Sequence, residues 1–204
     1  MARIKTDDRE QIIHQTRQTL LDTAAEEFAR QGYDQANINT ISTKAGFAKG
    51  TIYNYFPSKQ ALLLAVIDGI AQEHLAYLQS AVLELDDPAG RLEHFFKVGF
   101  EYVAQHTLQA RVVFNTVNSS NQEQKEYCFR AYQPMFQLVA EQILSPGMHQ
   151  GLFSQAELEP TTMLVMTIYL GTASQVNEQD RPWLDPDQVA RFTLNGLRSE
   201  KKEM

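Results

Sequence analysis

The sequence predicts an all-α protein. Apolar residues recur three and four apart along most of its 204 residues, and alternating β-branched runs bracketed by turns are almost absent. Glycine and proline break the pattern at helix-length intervals. About nine helices are expected, three in a unit over residues 1–57 and the rest in a larger helical domain over residues 58–204. With 43% hydrophobic and 21% charged residues, the chain can bury a real core.

The first helix is expected over residues 9–30, where Ile13, Leu20, Leu21, Ala24, Ala25 and Phe28 form one apolar stripe. Gly32 follows where a left-handed cap is wanted, and Tyr33 re-enters the core. Asn37 is placed to cap a second helix over 38–45, which Gly46 stops after two turns. A third short helix spans 49–55. Pro57 ends it, and Ser58 caps a fourth helix running to Leu83, roughly 37 Å at 1.5 Å per residue.

Asp86, Asp87 and Pro88 mark the next turn. Beyond it Leu92, Phe95, Phe96, Gly99, Phe100 and Val103 give a fifth helix with a broad aromatic face. Further helices are expected over 107–118, 122–144, 158–177 and 186–198. Pro134 predicts a kink, Ser145, Pro146 and Gly147 predict an interruption, and a polar tail is expected from Arg198 to Met204.

Charge is unevenly placed. The net charge is −7, yet residues 1–60 balance at +1 and residues 61–204 at −8. Between Asp34 and Asp68 the only charges are Lys44, Lys49 and Lys59. Residues 48–59 bring together hydroxyl, amide and ammonium donors without one carboxylate, as a surface that holds DNA phosphates requires. Three lysines alone are ordinary solvated surface. Here Lys44 and Lys49 sit on two short helices separated by a turn at Gly46 and Phe47 and braced by a longer helix, which is a helix-turn-helix arrangement, and Lys59 follows at the start of the fourth helix.

Gly32 and Tyr33, residues 41–46, residues 49–59 and the Ala61-Leu62 pair together resemble the DNA-binding domain of TetR/AcrR-type transcriptional repressors over roughly residues 10–65. The resemblance implies a homodimer on a palindromic double-stranded DNA operator, with the third helix of each subunit in a major groove. It also implies a small-molecule effector in the second domain that releases the DNA. By position, Tyr53 and Lys59 match phosphate-contacting residues, Lys49 and Thr51 groove-facing ones, and Asn39 and Thr40 contacts near the start of the second helix. With Lys44, Gly50, Asn54 and Tyr55 these make the expected DNA-binding set. Tyr55 stands where the family commonly has His, and Ala48 where it commonly has Ser. A tyrosine still donates its hydroxyl but carries no charge near neutral pH.

In the second domain, Phe96, Phe100, Phe114, Tyr132, Phe136, Met163, Met166 and Tyr169 are core-type residues that collectively suggest a pocket for a mainly hydrophobic effector. Asn115, Asn118, Thr167 and Gln175 are the candidate orienting groups. Gly171 and Gly196 interrupt stripes containing Leu164, Ile168, Val189, Phe192 and Leu197, so a close helix crossing is expected there. With Gln175, this set is the expected dimer interface. The alternative is a helical adaptor whose second domain meets a protein partner.

Other classes are disfavoured. Residues 1–11 carry charge and no apolar leader run, and the longest apolar run, 61–67, falls short of the roughly 20 residues that span a bilayer. A cytoplasmic protein with no membrane partner is therefore expected. Cys128, the lone cysteine, allows no intrachain disulfide and reads as a buried thiol. The five histidines show no one-turn metal pair, so neither metal nor cofactor is expected. Cys128 with a distant histidine lacks an oxyanion or orienting motif, so no enzyme is expected.

Overall fold

The computed structural model describes residues 6–173, 175, 177 and 182–198. Its helices are α1 Thr6–Gln35, α2 Ile38–Lys44, α3 Lys49–Tyr55, α4 Lys59–Leu83, α5 Pro88–Gln105, α6 Thr107–Val117 and α7 Gln122–Val139. A π-helical segment, Ala140–Leu144, continues α7 into α8 Ser145–His149, and α9 Leu158–Ala173 and α10 Pro186–Leu197 follow. An isolated antiparallel bridge pairs Phe153 with Arg198. Two compact units form: Met1–Ile70 with Arg111–Cys128, and Ala71–Ala110 with Phe129–Met204. The expected boundary at residues 57/58 is the start of α4, whereas the compact units part at Ile70. The tail expected beyond Arg198 lies outside the described residues.

In the first unit, local chemistry sets every helix end around the helix-turn-helix. α1 loses helical geometry at Gly32, whose φ of 69° favours glycine. The Asn37 side chain accepts the Asn39 amide at 2.8 Å and so caps α2. Gly46 turns the chain at φ 77°, while the amides of Ala45 and Phe47 return to the carbonyls of Ile41 and Ser42. Ser58 Oγ accepts the Ala61 amide at 3.0 Å and starts α4. The core gathers Leu20, Ala24 and Phe28 of α1, Ile38 and Ile41 of α2, Ile52 of α3, and Phe56, Leu62, Leu63, Val66 and Ile67. Each Leu, Ile, Val or Phe side chain among them contributes roughly 1.5–3 kcal/mol when fully buried. The buried stripe of α1 begins at Leu20: Ile13 is 45% exposed, and of residues 9–19 only Thr16 is half-buried.

In the second unit α5 is the central rod, capped by Asp87, which accepts the amides of Ala89 and Gly90 at 3.1 and 2.7 Å. α9, α10 and the π-helical segment pack around it, and the expected face of Leu92, Phe95, Phe96, Phe100 and Val103 is buried. Gly99 admits the Tyr169 ring, since a Cβ there would lie 2.5 Å from it.

The interruption expected at Ser145, Pro146 and Gly147 does not occur. α7 runs through Pro134, widens at Ala140–Leu144, and resumes as α8 with Pro146 near its N-terminus. Pro146 cannot donate to the Gln142 carbonyl four residues back, and Arg91 Nη1 supplies that bond instead at 2.9 Å. The break falls at Gly151, φ 71°, where the amide of Leu152 returns to the Gly147 carbonyl. Gly147 is needed for another reason: a Cβ there would meet the Phe153 ring.

By length and composition α4 passes for a membrane span. It nevertheless carries Asp68, Glu73 and His74, and Leu62, Leu63, Val66, Ile67, Leu78 and Val82 are buried in protein.

Candidate functional site

The outward side of α2 and α3 is assembled by what lies beneath it. Ile38, Ile41, Ser42, Ile52 and Phe56 turn inward, which leaves Asn39, Lys44, Lys49, Gly50, Tyr53 and Asn54 exposed and Thr40, Thr51 and Tyr55 half-buried. No carboxylate interrupts this face, because the chain holds none between Asp34 and Asp68. α3 has no side-chain cap at Ala48, as its sequence implies. Phe56 packs as expected, with the Arg17 guanidinium 5.4 Å from its ring centroid. Tyr53 is 43% exposed, more open than a residue with its ring buried and only its hydroxyl showing.

The three lysines divide into two kinds. Lys44 Nζ donates to Glu27 Oε2 at 3.1 Å, and Glu27 is 5% exposed. Its other oxygen, Oε1, accepts the Asn37 amide at 3.5 Å, so one carboxylate on α1 fastens both ends of α2. Lys59 Nζ donates to the Asp34 carbonyl at 3.0 Å and lies 4.8 Å from the Tyr33 ring centroid. Lys49 has no partner among the described residues. Sequence reasoning missed Glu27, although its place seven residues after Leu20 and three after Ala24 put it on the buried stripe.

Within the second unit, four of the expected pocket residues are brought together. Phe96, Phe100, Tyr132 and Met166 are buried, and Phe96 and Phe100 lie 6.0 and 6.4 Å from the Tyr169 ring. Phe136 is half-buried, and Met163 and Thr167 are on the exposed face of α9. Phe114 and Asn118 belong to the first unit and are exposed, and Asn115 there is half-buried. Exposed side chains line no interior.

A polar group absent from the expected set occupies that interior. His74, 4% exposed, has Nε2 2.8 Å from the Tyr169 hydroxyl. Its ring stacks on Tyr102 at 4.1 Å, and Tyr102 stacks on His106 at 4.3 Å. Burial, helped by His106, lowers the His74 pKa to about 3, so its imidazole is neutral. Burial raises both phenols: Tyr102 with help from the Glu73 charge, Tyr169 with help from Tyr102. Their spacing in sequence shows no motif, and only their shared burial identifies them.

The expected dimer residues separate by face. Leu164 is 65% and Phe192 72% exposed, with Gly171, Gln175 and Gly196 also at the surface and Ile168 and Leu197 half-buried. Val189 turns into the unit's own interior with Ala190 and Leu194, where α10 packs on α5.

An all-α chain with an exposed, carboxylate-free helix-turn-helix face presents the kind of surface that suits DNA phosphates. Residues 20–66 match the family described as bacterial regulatory proteins, tetR family. The HTH-type transcriptional regulator EthR of Mycolicibacterium smegmatis is 32% identical over 120 residues, which cover 58% of this chain and 52% of EthR. The chain thus spans about half the length of that relative. The HTH-type transcriptional repressor KstR2 of Mycobacterium tuberculosis is 25% identical over 151 residues, 69% of this chain and 70% of its own. The structure of the transcriptional regulator FadR from Bacillus subtilis, in complex with stearoyl-CoA, has the same fold: the TM-score is 0.77 at 20% identity, over 89% of this chain and 97% of that one.

Proposed function

We propose that this chain is a homodimeric transcriptional repressor of the cytoplasm that binds a palindromic operator and is released by a small, mainly apolar effector held in the second unit. The observation that carries the reading is the face of Asn39, Thr40, Lys49, Gly50, Thr51, Tyr53, Asn54 and Tyr55, which offers donors and no carboxylate in a chain of net charge −7. On this face Lys49 and Tyr53 meet phosphates or base edges, whereas Lys44 and Lys59 hold the frame through Glu27 and Asp34. The exposed apolar side chains Met163, Leu164 and Phe192 support pairing through α9 and α10, and a two-fold pair reads both halves of a palindrome.

The buried aromatic interior of the second unit supports an apolar effector, and FadR, solved with stearoyl-CoA, supports a molecule with an acyl chain. Selection of bound fragments from a random DNA library tests the reading. Enrichment of one palindrome, bound less tightly as salt rises, is expected. Retention of DNA without sequence enrichment overturns it.

A further inference from the structure

Tyr102 poses a chemical question that packing does not answer. Its side chain is 2% exposed and its hydroxyl is shielded from solvent, yet that hydroxyl has no hydrogen-bond partner among the described residues. The ring is fixed between the imidazoles of His74 and His106, with Tyr77 5.4 Å away, so the hydroxyl is held in place. A buried donor without an acceptor is costly, and native proteins keep few of them. Beside it the His74 imidazole and Tyr169 hydroxyl form a neutral hydrogen-bonded pair, walled by Phe95 and Tyr132.

We infer that the Tyr102 hydroxyl, next to the His74–Tyr169 pair, donates to the carbonyl oxygen of an otherwise apolar ester, thioester or ketone and discriminates against the matching free carboxylate. The inference rests on the proposed ligand-binding role of the second unit. The charge distribution decides between the two head groups. No Lys, Arg, Asp or Glu of that unit is buried among the described residues. His74 stays neutral, with its pKa at about 3, so it brings no countercharge to a carboxylate. A buried anion without a partner cation is strongly disfavoured, whereas a carbonyl needs only a donor. The side chains packed on the Tyr169 ring are Phe95, Phe96 and Phe100, so hydrocarbon is what this surrounding accepts for the rest of the ligand.

The test uses the intact protein, wild type and Tyr102→Phe, with fatty-acid methyl esters from hexanoate to palmitate, the matching S-ethyl thioesters, 2-alkanones and free acids. Calorimetry gives affinity and thermal melts give stability. Esters, thioesters or ketones are expected to bind wild type at least about tenfold tighter than the free acids at neutral pH, and Tyr102→Phe to lose about tenfold. Which of the three binds best identifies the source of the carbonyl. Because the substitution removes an unpartnered buried donor, the melting temperature of unliganded Tyr102→Phe should equal or exceed that of wild type. Failure of every carbonyl series to bind, preference for the free acid, unchanged affinity in Tyr102→Phe, or a drop in its melting temperature each overturns the inference. Operator release is scored separately. Release by a different ligand while the carbonyl series fails overturns this site and leaves the repressor reading standing. Tyr102-dependent binding without any change in operator affinity does the reverse.

Discussion

The first unit and the second treat polar side chains in opposite ways. Around α2 and α3 the donors face outward, and a buried carboxylate, Glu27, is matched to a lysine and a backbone amide. Inside the second unit the buried titratable groups are phenols and an imidazole: His74 hydrogen-bonds to Tyr169 and stacks on Tyr102. Under the proposed function, the difference follows from what each region would meet. A polyanion is attracted by exposed positive charge and tolerates water at the interface. An apolar molecule is held by burial, and there any unmatched charge works against binding.

The largest effect should come from dismantling the second unit's polar interior. Tyr169→Ala removes a fully buried ring and strips His74 of its partner, so a loss of about 3–5 kcal/mol is expected in denaturant unfolding. A loss under about 1 kcal/mol would erase the contrast, since it would mean the interior is loosely assembled.

Acidification comes next. His74 has a folded pKa of about 3, against an ordinary value of 6.5. The unfolded chain therefore binds the extra proton first, so its contribution is complete above pH 6.5 and is lost as pH falls toward 3. Between roughly pH 7 and pH 5 this group alone costs about 2 kcal/mol. His74 is faced by Tyr102, Tyr132, Tyr169 and His106, with Glu73 3.9 Å from His106, so the comparison must isolate it. The difference in pH slope between wild type and His74→Gln does so, and equal slopes would contradict a buried neutral imidazole.

A smaller effect is expected beneath the proposed DNA face. Glu27→Gln keeps the shape of the residue but removes the charge that holds Lys44. Lys44 is partly exposed, so the expected loss is about 1 kcal/mol in chemical unfolding. A stability equal to wild type would show that the strap on α2 is idle.

These contrasts also explain what could be read from the sequence. The turn chemistry of the first unit acts over two to three residues, as in the Asn37 cap on Asn39 and the Ser58 cap on Ala61, so it was legible. The face of α3 was legible for the same reason. What escaped depends on partners far apart in the chain. Arg91 rescues the carbonyl left by Pro146 from 51 residues away, Lys44 and Glu27 are 17 apart, and His74 and Tyr169 are 95 apart. The aromatic residues of the proposed pocket could be named one by one. Only packing could show that Phe96, Phe100 and Tyr132 surround a polar pair while Met163 and Phe114 stay outside.

The division of labour among the lysines is the most exposed point of the reading. Operator affinity should be measured against salt concentration for wild type, Lys49→Ala and Lys44→Ala, once a bound palindrome is in hand. Lys49→Ala should weaken binding across sequences and make the salt slope shallower by about 1, while Lys44→Ala keeps the wild-type slope. A slope unchanged by Lys49→Ala and reduced by Lys44→Ala would contradict the assignment of Lys49 to DNA and Lys44 to the frame.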